Sequence, residues 1–238
     1  MGRPGRCLLL SAGLLLTLCV LAKEPVSPPS GEEAGKLQTL LDRMNEAQKA
    51  LKTLRVSFVQ TNHFRMLSKP QVLKGVLSLR KPDTALYKYT SPSPLYFLVK
   101  DGSLLVYDPK DKKVVIQDIR RHQNRIIRYL GVGQPLEELK QSFDVAWKGQ
   151  EGNVVHLALT PTKYRMKRKV AALHFWVDND TATLKSFEVV EMEGDSIRFD
   201  FSLWEANPAL SEDAFKVDIP AGVKVHRQLT DFEEPFKP

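Results

Sequence analysis

The sequence predicts a mainly β protein of α+β type, a curved antiparallel sheet of about 11 strands that curls into an incomplete barrel under helical cover. Three observations predict it. Apolar and polar residues alternate with period two through most of the chain after residue 55. Short turn-forming clusters separate the alternating runs, so consecutive strands meet as antiparallel neighbours. Only two segments, one before the strands and one among them, carry helical spacing.

In chain order, the first feature is an export signal. Arg3 and Arg6 precede an apolar run from Leu8 to Ala22, and Val20-Leu21-Ala22 offers a cleavage site. Residues 1–22 are therefore expected to be a signal peptide removed near Ala22. An uncleaved anchor is the alternative. Cys19 raises another, lipid modification, but Leu18 precedes it where lipoprotein signals place a small residue, so plain cleavage is expected. Cys7 and Cys19 are the chain's two cysteines. Both leave with the signal, which fits an oxidising compartment and excludes disulfides and thiolate metal sites. The formal net charge of +7 falls by the two signal arginines and leaves a mildly basic chain.

Residues 23–33 (KEPVSPPSGEE) read as a disordered leader. A helix is expected over 34–54, where Leu37, Leu40, Leu41, Met44, Ala47, Leu51 and Leu54 recur at three- and four-residue steps. Strands are expected over 55–61, 73–80, 85–89, 95–99, 103–108 and 113–118, then 144–148, 153–160, 171–178, 183–191, 196–204 and 215–219. In the clearest of them, Ile197, Phe199, Phe201 and Leu203 are expected on one face. Between the two groups of strands, 123–143 carries Ile126, Ile127, Leu130, Leu136 and Leu139, interrupted by Gly131-Val132-Gly133-Gln134-Pro135. It reads as two short helices that cap the sheet with the first helix. One domain over 34–228 and a tail over 229–238 complete the organisation.

No motif for catalysis emerges. His63, His122, His156, His174 and His226 are scattered without zinc-ligand spacing. There is no Gly-x-Ser-x-Gly elbow, and Gly131-Val132-Gly133 lacks the third glycine of a phosphate loop. Asp178-Asn179-Asp180 reads as a hairpin turn rather than a calcium loop. No enzyme activity, cofactor or metal is expected. The basic run 163–169 (KYRMKRK) reads as a solvated hairpin tip, with docking to an acidic partner or anionic headgroups as its functional alternative. It lacks the interleaved aromatics of a nucleic-acid platform.

Several segments, in order, resemble the LolA family. They are Ser57-Phe58-Val59-Gln60-Thr61, the stretch from Lys74-Gly75 to Lys81-Pro82, the pair Tyr87 and Tyr89, and the Ser91-Pro92 turn. Asp101-Gly102 through Tyr107-Asp108-Pro109 follows, then Leu157-Ala158-Leu159-Thr160-Pro161, and finally Phe215 through Val225. The resemblance spans about 37–225. It implies an incomplete barrel with a helical lid over an apolar cavity, in a carrier that collects acylated lipoproteins from an inner-membrane releasing transporter. The carrier crosses the periplasm and delivers to an outer-membrane lipoprotein receptor. It implies Phe58, Leu77, Leu79, Tyr87, Tyr89, Phe97, Val99, Phe175, Val177, Phe199 and Phe201 as cavity lining, and Ile126, Ile127, Leu130, Leu136 and Leu139 as the lid. The family's gating arginine is here Lys81, which brings a point charge but no planar fork. A monomer without nucleic-acid partners is expected. The alternatives are a carrier of another amphiphile such as a glycolipid, an envelope-stress lipoprotein sensor on the same shell, and a receptor lipidated at Cys19.

Overall fold

The computed structural model describes residues 31–120 and 139–228. A first helix, α1 (Gly31–Ala50), precedes six strands: β1 (Thr53–His63), β2 (Gln71–Arg80), β3 (Thr84–Ser91), β4 (Leu95–Lys100), β5 (Ser103–Asp108) and β6 (Lys113–Asp118). The second group holds β7 (Phe143–Glu151), β8 (Val154–Pro161), a single-turn helix α2 (Tyr164–Lys167), β9 (Val170–Asp178), β10 (Leu184–Glu191) and β11 (Ser196–Ala206). A 3-10 turn (Glu212–Phe215) then leads to β12 (Lys224–Gln228). All twelve strands form one unclosed sheet in the order β12-β6-β5-β4-β3-β2-β1-β11-β10-β9-β8-β7. The expected incomplete barrel of antiparallel strands is therefore present, with one parallel pair, β12 on β6.

The helix ends earlier than its spacing predicts. Leu51 and Leu54 continue the three- and four-residue rhythm, but both are buried in the sheet core with Val56 and Phe58. Asn207 makes the break. Its amide donates to the Ala50 carbonyl (3.1 Å) and its oxygen accepts from the backbone N–H of Lys52 (2.7 Å) and Thr53 (3.3 Å). One side chain thus satisfies the helix exit and starts β1.

The closing strand also differs. The stretch 215–219 alternates but is not one of the paired strands among the described residues. The 3-10 turn ahead of it packs on β3, buries Phe215 and places its ring 4.8 Å under the Arg80 guanidinium. Arg80 and Lys100 both reach Glu212 at 2.7 Å. This strap crosses the outer face of the sheet and delivers β12 to the far edge, which is why that pair is parallel.

In β11 the alternation reverses. Arg55 faces Glu205 but Ser57 faces Ser202, so Val56 opposes two residues. Leu203 sits in this bulge at φ +50° and is 77% exposed, against the expectation that it faces inward. Trp204 takes the inner place and meets Phe201 edge-on at 6.0 Å. An inserted residue shifts every later side chain to the other face.

Turn chemistry agrees with the sequence. Asp101 and Gly102 both have positive φ, as a two-residue hairpin of the Asp-Gly kind requires. At the β9–β10 connection the Asp178 carboxylate accepts from Thr181 N–H and hydroxyl (both 3.0 Å) and Asp180 N–H (3.1 Å). Hydrogen bonding from the Thr181 backbone is the main cause holding its pKa below the usual carboxylate value.

Candidate functional site: the inner face of the sheet

Residues paired across the strands share a face, so the inner face can be read from the register. Phe58 lies opposite Gly75, and Gly75 opposite Tyr89. Tyr87 faces Phe97, and Phe199 faces Phe187. These rings meet. Phe58 lies 5.6 Å from Tyr87, 5.2 Å from Tyr89 and 5.6 Å from Phe199. Phe187 stacks on Phe199 at 4.9 Å, and Phe97 meets Tyr89 edge-on at 5.8 Å. Gly75 makes this possible: a Cβ there would stand 2.7 Å from the Phe58 ring and 2.5 Å from the Lys88 carbonyl oxygen. The ring of Phe58 occupies that space.

The expected lining residues fall into two groups. Phe58, Leu77, Leu79, Tyr87 and Val99 are buried in one cluster with Leu54, Val56 and Ile119; Tyr89, Phe97, Phe199 and Phe201 pack against it half-buried. Phe175 and Val177 belong to a second cluster, on β7–β9, where Leu40, Leu41 and Met44 of α1 cover the same face. So α1 roofs one flank, and an aromatic floor lies beside it. Phe187, Leu104 and Trp204 also belong to this face. Sequence alternation places Phe187 in a strand without singling it out for the floor; its period-two step to Val189 is the available signal.

The polar tip of Tyr89 is provided for. Burial pushes Tyr89 up to about 12 and Tyr87 well above the ordinary phenol value, so both stay protonated near neutrality. The Tyr89 hydroxyl donates to Gln60 Oε1 at 2.7 Å, and Gln60 donates to Asn62 at 2.8 Å. Trp204 Nε1 and Gln48 Oε1 are buried with no hydrogen-bond partner among the described residues.

Ile126, Ile127, Leu130 and Leu136 lie outside the described residues. Leu139 is buried beside α1 and Phe143, while Ile119 is buried in the floor cluster. Residues 121–138 thus join the two clusters in sequence. Lys81 Nζ donates to the Gln48 carbonyl in the last turn of α1 at 2.6 Å, an end where a cation is favoured. Burial lowers its pKa. Among the described residues Lys81 thus fastens α1.

On the outer face, two histidines separated in sequence come together. His156 Nε2 and His174 Nδ1 are 3.0 Å apart, because β8 and β9 are neighbours. His156 stacks on Trp176 at 4.8 Å, and the Arg198 guanidinium lies 4.1 Å from that indole. Both imidazoles titrate below their ordinary value. Burial is the main cause in each, followed for His156 by the nearby positive groups His174, Lys148 and Arg198. Lys148 also lowers His174, against Glu188, which raises it. The unfolded chain therefore binds more protons than the folded one. Stability is expected to be complete above about pH 6.5 and to fall as pH drops below it. Urea midpoints between about pH 7 and 5 check this, and the double variant His156→Gln/His174→Gln should flatten the profile. Among the described residues no group of three or more His, Cys, Asp or Glu is placed to hold a metal.

The family model "Outer membrane lipoprotein carrier protein LolA" matches residues 49–218, from the end of α1 through the outer strap. The chain belongs to the LolA family. Relatives named outer-membrane lipoprotein carrier protein include one from Dechloromonas aromatica (strain RCB), 24% identical over 78% of this chain and 86% of its own length. Another, from Pseudomonas putida (strain W619), is 25% identical over 95% of this chain and all of its own length. Among solved structures, an uncharacterized conserved protein from Thermus thermophilus aligns with TM-score 0.52 at 12% identity, covering 81% of this chain and 99% of that one. MucB aligns with TM-score 0.50 at 16% identity over 81% of this chain and 65% of that one. At such identities these two likenesses speak for the fold alone.

Proposed function

We propose that the chain is a non-catalytic periplasmic carrier that takes up the acyl chains of lipoproteins on the inner face and carries them from the inner to the outer membrane. The observation that carries this reading is the half-buried aromatic floor of Tyr89, Phe97, Phe199 and Phe201 beside the α1 roof. A contiguous apolar surface left partly open on an exported protein marks a place for an apolar ligand. Each acyl CH₂ transferred from water contributes about 0.8 kcal/mol, so a multiply acylated protein needs a surface of this kind to leave a bilayer. LolA membership and the names of the relatives support a lipoprotein as cargo. On this reading the signal is cleaved near Ala22, the transporter and receptor implied by the family are the partners, and Ile126, Ile127, Leu130, Leu136 and Leu139 act as the lid. Lys81 holds α1 in place beside the floor. The test is extraction of labelled triacylated lipoprotein from inner membranes carrying the active transporter. A soluble complex with the chain from residue 23 to 238 supports the reading, and failure by a folded chain argues for another amphiphile.

A further inference from the structure

Apart from Met166, the basic run 163–169 plays no part in the inner face, and its surroundings say more than its charge. Three connections at one end of the sheet touch one another: 64–70 between β1 and β2, 162–169 between β8 and β9, and 192–195 between β10 and β11. The Arg65 N–H donates to the Asp195 carboxylate at 2.8 Å, and its guanidinium donates to the Glu193 carbonyl at 2.6 Å. Met192 N–H donates to the Lys169 carbonyl at 2.9 Å. The three tips thus make one surface. Each exposes apolar side chains: Met66 is 97% exposed, Tyr164 76% and Met192 54%, with Leu67 exposed beside Met66. Around them stand Lys163, Arg165, Lys167 and Arg168, with Arg65 and Lys69 on the facing tip. Glu191, Glu193 and Asp195 are the carboxylates of the third tip. The basic tip has a set geometry. Met166 packs inward on the α1-side cluster, and Met166 and Lys167 both donate backbone N–H to the Lys163 carbonyl at 3.0 Å, leaving Tyr164 and the cations outward.

We propose that this end of the molecule docks on the surface of an anionic phospholipid bilayer. Met66, Leu67, Tyr164 and Met192 enter the headgroup layer, and the cations meet lipid phosphates. A merely solvated tip accounts for the lysines and arginines but not for bare methionines on two separate loops and a tyrosine on a third. Apolar side chains with an amphipathic aromatic among cations suit a polar–apolar boundary. The cations add attraction to anionic lipid that fades within a Debye length and with salt. An acidic protein would satisfy the charges and leave Met66 without a role. This inference goes beyond the carrier reading and does not need it, since the surface is complete without cargo.

Sedimentation of the chain from residue 23 to 238 with vesicles tests it; starting at residue 23 keeps the N-terminal apolar run from entering the lipid itself. Binding is expected to vesicles of phosphatidylcholine with phosphatidylglycerol, weakening as salt rises, and to be much weaker with phosphatidylcholine alone. Met66→Ser with Leu67→Ser, and separately Lys163→Gln, Arg165→Gln, Lys167→Gln and Arg168→Gln together, should each weaken it about ten-fold. All these side chains are at the surface, so circular dichroism and unfolding midpoints should be unchanged. No binding to phosphatidylglycerol vesicles, or binding undiminished by the Met66 and Leu67 changes, overturns the proposal. Capture on immobilised polyglutamate without vesicle binding overturns it in favour of an acidic protein partner.

Discussion

Gly75→Ala is expected to destabilise the protein by about 1–3 kcal/mol, read as a lower urea midpoint at unchanged slope. The added carbon would meet the Lys88 carbonyl oxygen, a backbone atom held in the β2–β3 ladder, at 2.5 Å, and the Phe58 ring at 2.7 Å. Neither contact is tolerable, and the ring is fixed by Tyr87, Tyr89 and Phe199 around it. The strain therefore spreads through the floor instead of ending at one rotamer. Gly35 in α1 is the control. A Cβ there meets nothing within 4 Å, so Gly35→Ala should stabilise by about 0.5–1 kcal/mol. Equal effects at both sites would mean that the Phe58–Gly75 contact has no special weight.

Phe97→Glu is expected to reduce acylated-lipoprotein binding at least ~100-fold while the chain stays folded. Phe97 is half-buried on the inner face, so a carboxylate there finds water when the floor is empty. An acyl chain over it would strip that water, at a cost of several kcal/mol for an ion without a partner, and every 1.4 kcal/mol is ten-fold in affinity. Phe97→Leu should retain most binding. Lys88→Glu changes charge on the opposite face, where Lys88 sits 5.9 Å over Tyr96, and should leave binding unchanged. The soluble complex recovered after membrane extraction measures all three. Comparable loss from Lys88→Glu would place the ligand elsewhere.

The strands were legible where one face is buried more deeply than the other, as Leu54, Val56 and Phe58 of β1 show against Arg55 and Ser57. Period two records that asymmetry directly. The failures occur where a distant partner decides. Leu51 and Leu54 fit a helical stripe, yet Asn207, far along the chain, ends the helix before them. Leu203 and Trp204 exchange faces because β11 carries one residue more than β1 can match, and a bulge leaves alternation intact on either side of it. Phe215 opens a run that alternates like a strand but crosses the sheet instead of joining it. The aromatic floor was legible in part: parity puts Tyr87 with Tyr89 and Phe199 with Phe201 on one face of their strands and the resemblance marks them, with Phe97, as lining, while the place of Phe187 depends on β10 lying beside β11. The same is true of His156 and His174, whose proximity exists only through the β8–β9 register. Resemblance marks Lys81 as a gate candidate, and its bond to the Gln48 carbonyl is a contact that local sequence does not encode.

The most direct test of the account is the stoichiometry of the soluble complex formed with one lipoprotein in two forms, triacylated and lacking all acyl groups. Both are presented to the chain from residue 23 to 238. The account predicts a one-to-one complex with the acylated form, dispersed by Phe97→Glu, and none with the unacylated form. Equal binding of both forms, or no complex while the chain is folded and the transporter active, would contradict it.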